Sequence, residues 1–162
     1  MSSKKVQKAQ VAAALPHLHR SLIDIVSTMN RPERDAAMLE LAGLPLERAL
    51  FPLLVLVERL GPIGVVDLAS RVGRDYSTVS RQIARLEELK LVTRRASEAD
   101  ARVREAVVTR KGQEANRAID AARERLAIEM FKDWNREDFE HLQRLLRRLA
   151  DEMNAVFDDP EK

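Results

Sequence analysis

The chain of 162 residues contains no cysteine. Disulfides, thiolate metal sites, a cysteine nucleophile and a thiol redox sensor are therefore excluded. Glycine and proline are scarce, at five and six residues, which argues against a β-sandwich or a loop-rich fold. No apolar run approaches the roughly 20 residues that a membrane-spanning helix needs. The longest, from Ala49 to Val57, is interrupted by Pro52. The early segment VAAAL is too short and too weakly apolar for a secretory core, so a cytoplasmic protein is the expectation. Histidine is rare too, with only His17, His19 and His141. His17 and His19 would point about 200° apart on one helix and cannot share a metal there. His141 lies one turn from Glu137, a spacing that reads as a surface pair rather than a catalytic dyad. The chain has no glycine-rich phosphate loop, no HExxH and no G-x-S-x-G. Its carboxylates alternate with arginine, as in AARERLAIE, the pattern of solvated helix faces. No enzyme, cofactor or metal is expected.

What is present is helix and charge. Apolar residues make up 45% and charged residues 33%, ordinary for a strongly helical protein of one domain. Net charge is only +2, but it is unevenly spread. From Arg71 to Lys111 there are 11 Lys/Arg against 6 Asp/Glu, and the remainder holds 17 against 20. A basic middle on a neutral scaffold suits a nucleic-acid surface.

The apolar positions Leu15, Leu18, Leu22, Ile25 and Met29 follow helical spacing along a narrow seam. MNRPER breaks that helix, and DAAMLELAG forms a short second one. LPLERALFPLLVLVERLGP is apolar nearly all round and reads as a buried third helix. Pro52 should bend it or mark a late start. VVDLASRVG is a helix closing on Gly73. Two short β-branched runs, LVTRR and REAVVT, read as a two-stranded hairpin around ASEADARV. Thr109 and Asn135 suit the N-caps of two further helices. The last carries the stripe Phe139, Leu142, Leu146, Leu149, Met153 and Val156.

The helix in RDYSTVSRQIARLEELK has an unusual outer face. With Ser77 at zero, Val79, Ile83 and Leu86 fall at about 200°, 240° and 180°, a single core face. Opposite lie Ser77, Arg81, Ala84 and Glu88, flanked by Thr78, Ser80 and Arg85. Small hydroxyl side chains at the N-terminal end let it press closely on another surface. Hydroxyls and free N–H groups there suit phosphate oxygens, and arginine in the next turn can reach a base edge. Ala69 is small enough for a close helix crossing, Gly73 supplies a left-handed turn, and Asp75 can cap the second helix. Helix, turn of about three residues, helix is the helix-turn-helix unit, and the hairpin after it makes it winged.

These segments resemble the MarR family (multiple antibiotic resistance regulators). The matching stretches are DLASRVGRDYSTVSRQIARLEELKLV, then SEADARV with its Asp-x-Arg at Asp100 and Arg102, then VVTRKG. GLPLERALFPLLVL and NREDFEHLQRLLRRL resemble segments on either side, so the likeness runs from about Leu15 onward. It implies a mainly α fold with a small β-hairpin wing: a winged helix-turn-helix DNA-binding lobe plus N- and C-terminal dimerisation helices. Residues 1–162 would be a single MarR-type domain, with the lobe at 45–110 and dimerisation helices at 15–44 and 111–158. It further implies a homodimeric, sequence-specific regulator of double-stranded DNA, a repressor on a palindromic operator. Ser77, Thr78, Ser80, Arg81 and Arg85 would face the major groove, with Arg102, held by Asp100, in the minor groove. A small aromatic effector between the dimerisation helices and the lobe is the family's usual signal, though no ligand-contacting residue is matched. The missing cysteine separates the chain from the family's peroxide sensors. The family usually has glycine where Lys90 stands, and Pro52 is unusual inside its helix. The alternative is a helical dimeric interaction module that has lost DNA binding, favoured by the acidic Glu98 and Asp100. Retention of Arg81, Arg85, Arg94, Arg95, Arg102 and Arg104 argues against it.

Overall fold

A computed structural model describes residues 3–100 and 102–157, with side chains at 8–100 and 102–156. The chain is mostly helical. Helix α1 (Ser3–Met29) and α2 (Pro32–Leu41) precede a single 3-10 turn at Arg48–Leu50 and helix α3 (Phe51–Leu60). A two-residue strand β1 (Ile63–Gly64) leads to α4 (Val65–Val72) and α5 (Tyr76–Glu88). Strands β2 (Val92–Ala96) and β3 (Arg104–Val108) follow, then α6 (Arg110–Met130) and α7 (Arg136–Phe157). The chain divides into two compact units between Ala122 and Arg123.

Two sequence expectations are corrected and a third is decided. The third helix starts late, one of the two outcomes that Pro52 offered: Glu47 is extended, and Pro52 sits in the first turn of α3. Proline is harmless there because its missing N–H would have had no helical partner. The first helix starts at Ser3 rather than near Leu15 and runs through Pro16. The hairpin gains a third strand, in the antiparallel order β1-β3-β2. Ile63 pairs with Ala106 and Gly64 with Glu105. A two-residue strand gives no alternation for a sequence pattern to detect, so only its partner makes it a strand.

In the first unit the core is made by α3, α4, α5 and the sheet. Leu53, Leu54, Leu68, Val79, Ile83, Leu86 and Ala106 are all fully buried. Each large aliphatic side chain hidden this way stabilises the fold by about 1.5–3 kcal/mol. Val79, Ile83 and Leu86 are the three buried residues of α5, as the helical spacing predicts. A second small cluster joins Leu39 of α2, Phe51 of α3 and Ile119 of α6. The start of α6 is fixed against the end of α5. The Thr109 Oγ1 lies 2.7 Å from the Lys90 carbonyl oxygen and accepts the Gly112 N–H at 3.1 Å. A Cβ on Gly112 would collide with the Leu91 carbonyl, so this close approach requires glycine.

The second unit, the end of α6 with α7, packs locally around Phe131. Its ring meets Trp134 and Phe139 edge-on at 5.2 and 4.9 Å. Asn135 caps α7, its Oδ1 accepting the Asp138 N–H at 2.8 Å. Along α7, Arg136–Glu140, Arg147–Asp151 and Arg148–Glu152 form exposed pairs one turn apart, each worth only a few tenths of a kcal/mol.

Candidate nucleic-acid interface

The pair α4–α5 is held by local chemistry at its turn. Ala69, 5% exposed, lets the helices approach. Gly73 ends α4 in the left-handed conformation, φ +62°. There the Gly73 and Arg74 N–H groups return to the Ser70 and Ala69 carbonyls, which satisfies the helix end. Asp75 caps α5, its Oδ1 accepting from the Ser77 hydroxyl at 2.6 Å and the Thr78 N–H at 2.8 Å. Those hydrogen bonds, from Ser77 first and Thr78 second, hold the Asp75 carboxyl well below the usual carboxylate range. The Ser77 proton is therefore engaged inside the chain, which leaves the lone pairs of its oxygen outward.

The expected site residues lie on α5 and on the wing. Ser77, Arg81 and Arg85 are exposed, and Thr78 and Ser80 are half-buried. Arg81 makes no ion pair among the described residues, and only a long contact from Nε to the Ser77 carbonyl at 3.4 Å. Arg85 is occupied. Its Nε donates to Glu47 Oε1 at 3.2 Å and its Nη1 to Glu88 Oε2 at 2.8 Å. These bonds, to Glu88 first and Glu47 second, raise its pKa further.

The wing tip is organised by Asp100. Its carboxylate accepts Arg102 Nε at 3.0 Å, Nη2 at 2.9 Å and the Arg102 backbone N–H at 3.0 Å. The pairing holds Asp100 below its ordinary pKa and raises that of Arg102. The side chain of Arg102 stays 90% exposed, so the pairing orients a cation without hiding it.

Two sets of contacts on this surface have no signature in the sequence. Arg94 of β2 donates from Nη2 to the Ser80 carbonyl at 3.1 Å and pairs with Glu87 at 3.6 Å, which braces the sheet on α5. Glu47 lies beside Thr78, Arg81, Gln82 and Arg85 in a shallow groove along α5. Helical spacing relates residues three or four apart, so it finds neither contact.

The MarR family model matches residues 46–103, which span α3 to the wing. The HTH-type transcriptional regulator YxaD of Bacillus subtilis is 34% identical over 114 residues, covering 70% of this chain and 77% of that protein. The chain belongs to the MarR family. The solved structure of MarR superposes with a TM-score of 0.68 at 26% identity, covering 86% of this chain and 93% of that one. A MarR family protein from Bacillus stearothermophilus gives 0.74 at 22% identity over 88% and 97%, a likeness of fold.

The protein is thus a MarR-family transcriptional regulator, of a class that acts on DNA, and its relatives are regulators rather than enzymes. No helix among the described residues is long and apolar enough to cross a membrane. Against the MarR pattern Lys90 is, with Pro52, one of two departures. It adopts φ +60°, the one described non-glycine residue with positive φ. The Lys90 and Leu91 N–H groups return to the Glu87 and Leu86 carbonyls at 2.9 Å each, the same closure that Gly73 gives α4. The turn keeps the geometry that glycine favours and carries the strain of a side chain there.

Proposed function

We propose that this MarR protein is a sequence-specific repressor that binds a palindromic operator in double-stranded DNA as a homodimer and releases it in response to a small effector. Residues 45–110 would be the DNA-binding lobe, with dimerisation helices at 15–44 and 111–158. The observation that carries this reading is the exposed outer face of α5. Hydroxyls and the unpaired Arg81 stand opposite a fully buried seam of Val79, Ile83 and Leu86. Arg81 differs in this from Arg147 and Arg148 of α7, each of which pairs with a carboxylate one turn on.

In this mechanism the first turn of α5 enters the major groove, with Thr78 and Ser80 near phosphates, Ser77 accepting from a donor on a base edge, and Arg81 at base edges. Arg85 lies one turn further along the groove. Arg102, oriented by Asp100, follows the negative potential of the minor groove. Homodimerisation is supported by apolar side chains left uncovered along α1 and α7, among them Leu15, Leu18, Ile25, Met29, Phe139 and Leu146. Symmetry then requires an inverted repeat with half-site centres about 34 Å apart. A small, mainly apolar effector, aromatic by family likeness, has a place to act. An apolar cleft of about 360 Å³ is walled by Leu44, Leu46, Leu89, Leu91 and Ala115, with Lys111 at its edge. It joins the approach to α3 with the end of α5, where occupancy would shift the reading helix. The work would be done in the cytoplasm.

Selection from random duplexes tests the reading, and a near-palindrome is the expected product. Arg81→Ala should then weaken binding by about 1–3 kcal/mol per half-site on that operator and narrow its preference over a scrambled duplex. Arg102→Ala should weaken both duplexes alike and make the slope of log K against log salt shallower by about one unit per half-site. An unchanged operator-to-scrambled ratio in Arg81→Ala refutes α5 as the reader. Failure to bind any duplex in a salt-dependent way favours the interaction module instead.

A further inference from the structure

Of the two arginines on α5, Arg81 makes no ion pair among the described residues, whereas Arg85 is gripped by two carboxylates. Glu88 is its neighbour on the same helix. Glu47 comes from 38 residues away, from the segment that leads into the 3-10 turn before α3. An exposed ion pair of long side chains is worth little by itself, but this one has two properties that a chance surface pair lacks. First, its backbone is anchored. Leu46 packs against both hydrophobic clusters and Leu50 is 2% exposed, so the Glu47 backbone cannot drift from α5. Second, the carboxylates take different parts of the guanidinium, Nε and Nη1. A planar group held at two points has its plane fixed, and Nη2 makes no hydrogen bond among the described residues. Held in this way, the fork loses less freedom when it meets a base edge.

We propose that Glu47 is a positioning residue for DNA reading: it holds the Arg85 guanidinium so that its free edge is presented to one base of each half-site. This rests on α5 being the DNA-reading helix. The arrangement has a definite cost. A carboxylate at a phosphate-bearing surface repels every duplex, so Glu47 lowers affinity in general while it sharpens the choice of sequence. The pairing also carries information between elements. The segment bearing Glu47 begins with Leu44 and Leu46, which wall the apolar cleft, so displacing that wall displaces the grip on Arg85.

The test uses the full-length protein, the duplex recovered by selection and a scrambled duplex, with Kd measured across a salt series. Glu47→Ala should tighten binding to the scrambled duplex by about two- to threefold, from the removed charge. It should also narrow the operator-to-scrambled ratio by about tenfold, from the freed arginine. Glu47→Gln keeps an oxygen that accepts the Nε–H but removes the charge. It should tighten both duplexes and leave the ratio within about twofold of wild type. In an Arg85→Ala background, Glu47→Ala should no longer change the ratio, since the group it positions is gone. If Glu47→Ala moves both duplexes equally, or if Glu47→Gln narrows the ratio as much as alanine does, the positioning role is overturned. Arg81→Ala separates the two levels. A narrowed ratio there with no effect of Glu47 rejects only this role, whereas an unchanged ratio in both rejects α5 as the reader.

Discussion

Leu54 and Leu146 are both leucines at apolar positions of a helix, the first on a helix apolar nearly all round and the second on a single stripe. In the structure Leu54 is 0% exposed and Leu146 is 45% exposed. The contrast extends to their surroundings. The winged lobe closes on itself, with α3, α4 and α5 each burying their apolar faces against one another and the sheet. Helices α1 and α7 carry stripes of similar length, and Leu15, Ile25, Met29, Leu145 and Met153 lie open along them. A stripe announces that a face is to be buried and does not say by what. The lobe supplies its own cover. Each flanking helix leaves several large apolar side chains open along its own length, which is the physical basis for expecting a second copy.

The sharpest way to break this comparison is to charge the open stripe. Sedimentation equilibrium at micromolar concentration should give twice the chain mass for the wild type, and Leu146→Asp should give unfolded or aggregated protein. A well-behaved monomer of wild-type stability would mean that the stripe needs no cover. Val66 provides the control: it is equally apolar and 68% exposed, but it belongs to neither stripe. Val66→Asp should leave the assembly at twice the chain mass.

Inside the lobe the expected effect is large but confined to stability. Leu54→Ala removes a fully buried side chain and should cost about 2–5 kcal/mol. In a chain of this size each kcal/mol lowers Tm by about 2–4 °C. A loss under 1 kcal/mol, measured by denaturant unfolding, would show that the lobe core is looser than its burial implies.

The smallest effects lie at the two helix ends that share one geometry. Gly73 and Lys90 both have φ close to +60° and close α4 and α5 through the same pair of backbone hydrogen bonds. Lys90→Gly should stabilise the protein by about 0.5–1 kcal/mol, the relief of left-handed strain less the entropy of glycine. Gly73→Ala should destabilise it by about 1 kcal/mol. A Cβ there would meet nothing within 4 Å, so that cost belongs to the backbone alone. Opposite signs in thermal melts support the equivalence of the two turns.

Periodicity and capping chemistry were enough to find the helix pair. The spacing of Val79, Ile83 and Leu86 marked the buried face of α5, and Asp75, Thr109 and Asn135 each cap the helix that their residue type and position foretold. Those features are local, encoded within a few residues of where they act. The departure at Lys90 was visible as well, because a turn that requires positive φ makes any side chain conspicuous. What escaped notice was set at a distance. The strand character of Ile63 and Gly64 depends on Ala106 and Glu105 of β3. The occupation of Arg85 by Glu47 depends on a contact across 38 residues.

By itself, then, the sequence determined which segments are helical, which face of each is apolar and where the basic surface lies, because propensity, period and caps act between near neighbours. Only the tertiary structure decided which apolar faces find cover within the chain and which arginine keeps its charge unpaired. Those outcomes depend on which distant segments meet, and a carboxylate 38 residues away has no periodicity to betray it.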